Sequence, residues 1–251
     1  MTRLVNALLD WVYPPRCIAC SMIIPLNKAQ EKQMGLCLHC QELFEPIDSF
    51  TCKICGVPTK IEVDKCVSCL GKNFEFESNT ATFLYDELIR DLLLKLKFTS
   101  KKQIAHSLGQ LWAKHISEVP KDAILVPLPM HAKKQRERGF NQAEVLAQAL
   151  GEKFGLPVIN AVQRVVDTPP QSGLHPRQRV DNIKGAFAVA KAENPRGKTY
   201  IVVDDIYTTG SSLNECARVL KDAGAKSVRG LTLTVVKRKA RQGRKYYDKG
   251  E

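Results

Sequence analysis

The sequence has no run of the roughly 18 uncharged apolar residues that a membrane helix needs. Its most apolar N-terminal stretch, residues 4–12, is broken by Asn6 and Asp10, and no small-residue cleavage site follows it. No membrane span and no secretory leader are therefore expected, and the chain reads as cytoplasmic. The pattern G-x-x-x-x-G-K-S/T is missing, and so is G-x-G-x-x-G, which argues against a P-loop nucleotidase and a dinucleotide-binding fold. His106, His115, His131 and His175 have no spacing that suggests a metal pair or a catalytic triad. Acidic residues are scarce, 26 against 38 Lys and Arg, leaving a net charge of +12. That surplus favours a polyanionic partner, nucleic acid or a phosphorylated ligand, but solubility alone accounts for it equally well.

Cysteine is abundant and concentrated. Eight of the nine cysteines form C-x-x-C pairs before residue 70: Cys17/Cys20, Cys37/Cys40, Cys52/Cys55 and Cys66/Cys69. In a reducing compartment such pairs are available as thiolate metal ligands, and two of them complete a tetrahedral shell. Sequential pairing predicts two zinc ribbons with two structural Zn²⁺, one held by Cys17, Cys20, Cys37 and Cys40, the other by Cys52, Cys55, Cys66 and Cys69; pairing in alternation is also compatible with the spacing. A closed four-thiolate shell leaves no position for water, so the zinc is expected to staple and not to catalyse. Few residues between the knuckles look able to build a core, and metal is expected to supply much of the folding energy.

Beyond residue 78 the pattern changes. Leu88, Ile89, Leu92, Leu93 and Leu96 recur at helical spacing, and Ile104, Leu108, Leu111 and Trp112 continue it in a second helix. Residues 124–129, ILVPLP, read as a strand followed by a basic loop and a helix around Val145, Leu146 and Leu150; residues 157–160 suit a short strand. Residues 164–184 are polar and aperiodic, as in a functional loop. Residues 199–203 then form a β-branched strand, 211–222 a helix and 227–236 a strand. This alternation predicts an α/β fold with a parallel sheet and ligands at the carboxyl ends of its strands. Cys216 shares a helix face with Leu213, Ala217 and Leu220 and is expected in the core.

The chemistry concentrates in residues 201–212, IVVDDIYTTGSS. A buried strand delivers Asp204 and Asp205, and then Thr208, Thr209, Gly210, Ser211 and Ser212 at a helix N-terminus, where hydroxyls and backbone N–H groups form an anion cradle. The two acids would repel a phosphate unless donors or a cation lie between them. A sugar's vicinal hydroxyls, with Mg²⁺ beside a polyphosphate, meet that need.

This segment resembles the phosphoribosyl pyrophosphate motif of type I phosphoribosyltransferases. The resemblance implies that Asp204 and Asp205 hold the ribose hydroxyls and that residues 208–212 hold the 5-phosphate. Where hypoxanthine–guanine enzymes carry an Asp near the base, this chain has Thr208, so no general base is carried over. More of the chain is similar to the ComF family of competence-associated proteins, which join an N-terminal cysteine zinc module to this domain. That similarity rests on residues 96–98 (LKF), 126–144 (VPLPMHAKKQRERGFNQAE), TPPQSGL continuing to Arg179 and Asn182, and 185–187 (GAF). It puts residues 126–141 where the family has its pyrophosphate loop. Lys133 and Lys134 would then bind the pyrophosphate, and Arg136 and Arg138, with Asp204 and Asp205, would be the catalytic candidates, because a leaving pyrophosphate gathers negative charge. A solvated helix edge or a DNA-contacting patch would show the same charge run. Gln171, Arg177 and Arg179 fall where the resemblance implies a mobile lid.

Three units follow: a double zinc ribbon over 1–75, a phosphoribosyltransferase-like domain over 78–236 and a basic tail over 237–251. The tail sets Lys237, Arg238, Lys239, Arg241, Arg244 and Lys245 before Tyr246 and Tyr247, which suits single-stranded DNA as well as it suits a solvated terminus. The expected functions are a competence factor that binds phosphoribosyl pyrophosphate and single-stranded DNA beside other DNA-uptake proteins, an active phosphoribosyltransferase of unknown acceptor, or a ligand-binding regulator without a DNA role.

Overall fold

The structure, a computed structural model, describes residues 13–99, 102–166 and 183–237. Gln171, Arg177, Arg179 and the tail beyond Lys237 lie outside the described residues. Two short helices, α1 (Ala29–Met34) and α2 (Leu38–Glu42), belong to the cysteine-rich segment. Then come β1 (Asn79–Leu84), α3 (Glu87–Thr99), α4 (Lys102–His115), β2 (Ala123–Pro127), α5 (Ala132–Arg138) and α6 (Gln142–Phe154). The small strands β3 (Val162–Arg164) and β4 (Phe187–Val189) precede β5 (Thr199–Tyr207), α7 (Ser211–Asp222) and β6 (Ser227–Val235).

The main sheet has the order β1-β6-β5-β2, and every pairing in it is parallel. Parallel strands buried on both faces need apolar residues at nearly every position, and β5 supplies them: Tyr200, Ile201, Val202 and Val203 are all buried. Ile201, Val203, Leu231 and Leu233 join the core formed with α3, α4 and α6. Tyr200, Val202 and Val228 join the core formed with α7, β3 and β4. Helices α4 and α6 approach closely at Gly109, where a Cβ would stand 2.9 Å from the Cβ of Ala149.

Four local expectations differ from what is seen. The basic stretch after β2 is a helix, α5, with His131 as its N-cap accepting from the Lys133 amide and Gly139 ending it in a left-handed turn. Residues 157–160 form only an isolated parallel bridge, Leu125 to Val158, with the Leu125 amide donating to the Pro157 carbonyl and the Ile159 amide to the Leu125 carbonyl, each at 2.9 Å. Of the stretch 164–184, Arg164 closes β3 and pairs antiparallel with Phe187 of β4, and residues 167–182 lie outside the described residues. Strand β1, whose NTATFL has no strong apolar run, was not expected at all; pairing with β6 defines it.

The cysteine-rich segment also departs from expectation by having a core. Ile24, Met34, Leu36 and Phe44 are buried in the same cluster as Leu92, Leu96, Leu108 and Trp112. Its apolar residues were too few for an independent core, but they fill one shared with α3 and α4.

Candidate functional site

In open parallel sheets, ligands bind where neighbouring connections leave in opposite directions. Here β2 leads through α6 to the bridge at Val158, on the outer edge of the sheet, whereas β5 leads through α7 to β6 on its other side. By that rule a ligand is expected between the carboxyl ends of β2 and β5. These ends carry the basic helix α5 and the segment 204–212.

At the end of β5, Asp205 is buried at 6% exposure and its Oδ2 has no hydrogen-bond partner. The backbone N–H of Asp205 donates to Asp204 Oδ1 at 2.9 Å, and the Thr234 hydroxyl donates to the Asp205 carbonyl at 3.1 Å. The loop turns at Gly210, left-handed at φ 77°, and enters α7. Thr209 and Ser211 hydroxyls are 2.7 Å apart, and Thr209 Oγ1 accepts the Ser211 amide at 3.3 Å. Asp204, Thr208, Thr209, Gly210, Ser211 and Ser212 line a concavity of about 50 Å³. Thr232 of β6, which the sequence did not single out, also lines it. A larger cavity of about 670 Å³ lies toward the amino ends of the strands, between Pro46, His115 and Arg229; it contains neither the acids nor the hydroxyl loop.

From the other side of the crevice, α5 contributes unequally. Arg138 is half-buried; burial pulls its guanidinium below the ordinary value, while the Asp205 carboxylate pushes it up. Arg138 also donates to Gln142. Lys134, one turn earlier on the same face, is partly buried, whereas Lys133 and Arg136 are exposed. Thus Arg138 lies within electrostatic reach of Asp205, whereas Arg136 is exposed. Asn141 anchors this side, since its Nδ2 donates to the Leu128 carbonyl at 3.1 Å and its Oδ1 caps α6. Tyr85, just past β1, is pushed up by burial despite Arg90, with the Asp205 carboxylate adding to the rise. Tyr85 escaped the sequence reading because β1 did.

The eight N-terminal thiols group sequentially: Cys17, Cys20, Cys37 and Cys40 in one cluster, Cys52, Cys55, Cys66 and Cys69 in the other, each with all sulfurs within 4.8 Å. This resolves the pairing. A tetrahedral shell at a Zn–S distance of about 2.3 Å sets sulfurs about 3.8 Å apart; Cys20 and Cys37 sulfurs are 3.8 Å apart, and those of Cys55 and Cys66 3.7 Å. Burial opposes ionisation of Cys17, but N–H groups of Cys20, Cys37 and Ala19 bring its thiol down to about 7. Cys69 is pushed up to about 12 by burial and the charge of its neighbours. Four thiolates this close need a cation between them, and the donor set fits structural zinc. Cys216 is fully buried, its thiol pushed up by that burial.

Comparison with known proteins agrees with this architecture. Residues 8–70 match the double zinc ribbon domain family, and residues 137–250 the phosphoribosyl transferase domain family. The sheet extends further toward the N-terminus than the second match, through β2 and β1. Competence protein F of Haemophilus influenzae is 32% identical over 223 residues, covering 85% of this chain and 93% of that protein. The chain belongs to the ComF family. Its relatives include competence protein ComFC of Bacillus subtilis, 28% identical over 83% of this chain and 86% of that one. The DNA utilization protein YhgH of Salmonella typhi is 30% identical over 86% of this chain and 94% of its own length. This ComF member thus has the α/β phosphoribosyltransferase-like fold preceded by a double zinc ribbon, and no described helix is long and apolar enough to cross a membrane.

Proposed function

We propose that this protein binds phosphoribosyl pyrophosphate with Mg²⁺ in the crevice between β2 and β5, and that it acts on single-stranded DNA in the cytoplasm during natural transformation. The observation that carries the ligand reading is Asp205: a buried carboxylate oxygen without a hydrogen-bond partner in the protein, next in sequence to a second acid and within electrostatic reach of Arg138. A buried polar atom is costly unless something satisfies it, and ribose hydroxyls or a hydrated Mg²⁺ are the donors that suit it. Asp204 and Asp205 would hold the ribose, residues 208–212 the 5-phosphate through the start of α7, and Arg138, Lys134, Lys133 and Arg136 the pyrophosphate. In this reading the chain divides into the ribbons (1–75), the phosphoribosyltransferase-like domain (78–236) and a basic tail (237–251).

The competence reading rests on the relatives, whose names tie them to competence and DNA utilization, and on the net charge of +12. DNA-uptake proteins are its expected partners. Its test is transformation frequency in cells carrying Asp204→Asn with Asp205→Asn. A fall to the level of a deletion supports the account, and normal transformation contradicts it. Single-stranded DNA should bind with steep salt dependence, weakened when residues 237–251 are removed.

A second reading, active transfer of ribose 5-phosphate to an unknown acceptor, is favoured by Arg138, half-buried within electrostatic reach of Asp205 as a group serving a leaving pyrophosphate would be. Release of pyrophosphate on adding Mg²⁺, phosphoribosyl pyrophosphate and candidate acceptors tests it. Silence across nucleobases, nucleotides and DNA would leave the site a binding site.

A further inference from the structure

The two cysteine clusters are built against different parts of the molecule. Cys17 and Cys40 lie in the core of α3 and α4; Lys95 of α3 donates to the carbonyls of Ile18 and Ala19, at 3.4 and 3.2 Å. Cys52, Cys55 and Cys69 share the opposite core with Phe76 and with Tyr207, Leu213 and Cys216, the last three flanking the hydroxyl loop at the end of β5 and in the first turns of α7.

Three contacts join the second cluster to that loop. Asn79, 2% exposed, donates from Nδ2 to the carbonyl of the ligand residue Cys55 at 3.2 Å and to Oγ1 of Thr232, which lines the concavity, at 3.1 Å. The Cys55 carbonyl accepts only, which fixes the orientation of the Asn79 amide. The chain leaving Cys69 then places the Glu75 amide 2.7 Å from Asn214 Oδ1, in the first turn of α7. Phe76 meets the Tyr207 ring edge-on at 6.4 Å, and Tyr207 in turn packs against Gly210.

We propose that the second cluster, and not the first, sets the geometry of the phosphate loop: zinc held by Cys52, Cys55, Cys66 and Cys69 fixes Asn79, Phe76 and Glu75, and these hold Thr232, Tyr207 and Asn214 in register for the ligand. Asn79 is the positioning residue of this link. The first cluster packs into the core that contains α3 and α4. The inference rests on the ligand reading for its consequence, but the link itself is a property of the ligand-free protein.

The test uses the full chain and one substitution at the least buried thiol of each cluster, Cys66→Ser and Cys20→Ser. Elemental analysis shows whether each variant has lost one of its two zinc ions, hydrogen exchange of the amides 207–214 is followed without ligand, and affinity for phosphoribosyl pyrophosphate with Mg²⁺ is measured by calorimetry. Cys66→Ser is expected to speed exchange across 207–214 and weaken binding, each by at least about tenfold, with Cys20→Ser within about twofold of wild type. Asn79→Ala, which leaves all eight thiols in place, is expected to retain both zinc ions and still speed exchange there. Equal effects of the two cysteine substitutions on 207–214, or protected amides in Asn79→Ala, would overturn the proposal. If the wild type binds no phosphoribosyl pyrophosphate, the ligand reading fails by itself and the exchange contrast still decides the coupling.

Discussion

The ring of Tyr207 lies against Gly210 so closely that a Cβ built on the glycine would stand 2.8 Å from the ring carbon Cζ. Gly210 is also left-handed at φ 77°, so space and backbone both exclude a side chain. Gly210→Ala is expected to cost about 1–2 kcal/mol and lower the melting temperature by about 2–8 °C. A thermal melt indistinguishable from wild type would show that the turn is not held as described.

Asp205 has the reverse signature. Its buried Oδ2 has no partner, so the carboxylate contributes little to folding for the desolvation it suffers. Asp205→Asn is expected to melt at or above the wild-type temperature. A variant less stable by several degrees would identify Asp205 as a structural carboxylate.

Glu215 is the contrasting acid. Its side chain is 6% exposed; Arg218 meets it at 2.8 Å and the Gly185 amide at 2.7 Å. Arg218 holds its pKa below the ordinary value against the opposing effect of burial. A depressed folded pKa contributes stability that is present above the unfolded value, about 4.3, and lost as pH falls through the folded one. Glu215→Gln is expected to cost about 1–2 kcal/mol near neutrality, allowing for the exposure of Arg218. In denaturant titrations that gap should close below about pH 4; a gap independent of pH would contradict the assignment.

Because Leu36 and Phe44 share their core with Trp112, stripping zinc is expected to disturb more than the ribbons. In a Trp11→Phe background, chelation should shift the emission of Trp112 to the red as its fully buried ring meets water. Unchanged emission after metal loss would show that the α3–α4 core stands without the first cluster.

Chemistry was legible in the sequence wherever it was local. Helix α7 follows from its apolar face and the preceding glycine, and the acid pair and hydroxyls lie within residues 204–212, of which Asp204 and 208–212 line one concavity while Asp205 does not. The sulfurs were legible as ligands but not as pairs, since spacing alone does not say which knuckles meet. What escaped depends on pairing between distant segments. NTATFL becomes β1 only beside β6, and with it Tyr85 and Asn79 acquire their places. Arg136 and Arg138 looked equivalent as a charge run; only a helix from Ala132 to Arg138 leaves one exposed and partly buries the other within electrostatic reach of Asp205.

The central claim is that the crevice between β2 and β5 binds phosphoribosyl pyrophosphate through its two acids. Calorimetric titration of zinc-replete protein with that ligand and Mg²⁺, beside the Asp204→Asn, Asp205→Asn double variant, tests it most directly. The account predicts saturable binding by the wild type and a loss of at least about tenfold in affinity, roughly 1.4 kcal/mol, in a variant that remains folded. Equal affinity in the two proteins, or no binding by either, would contradict it.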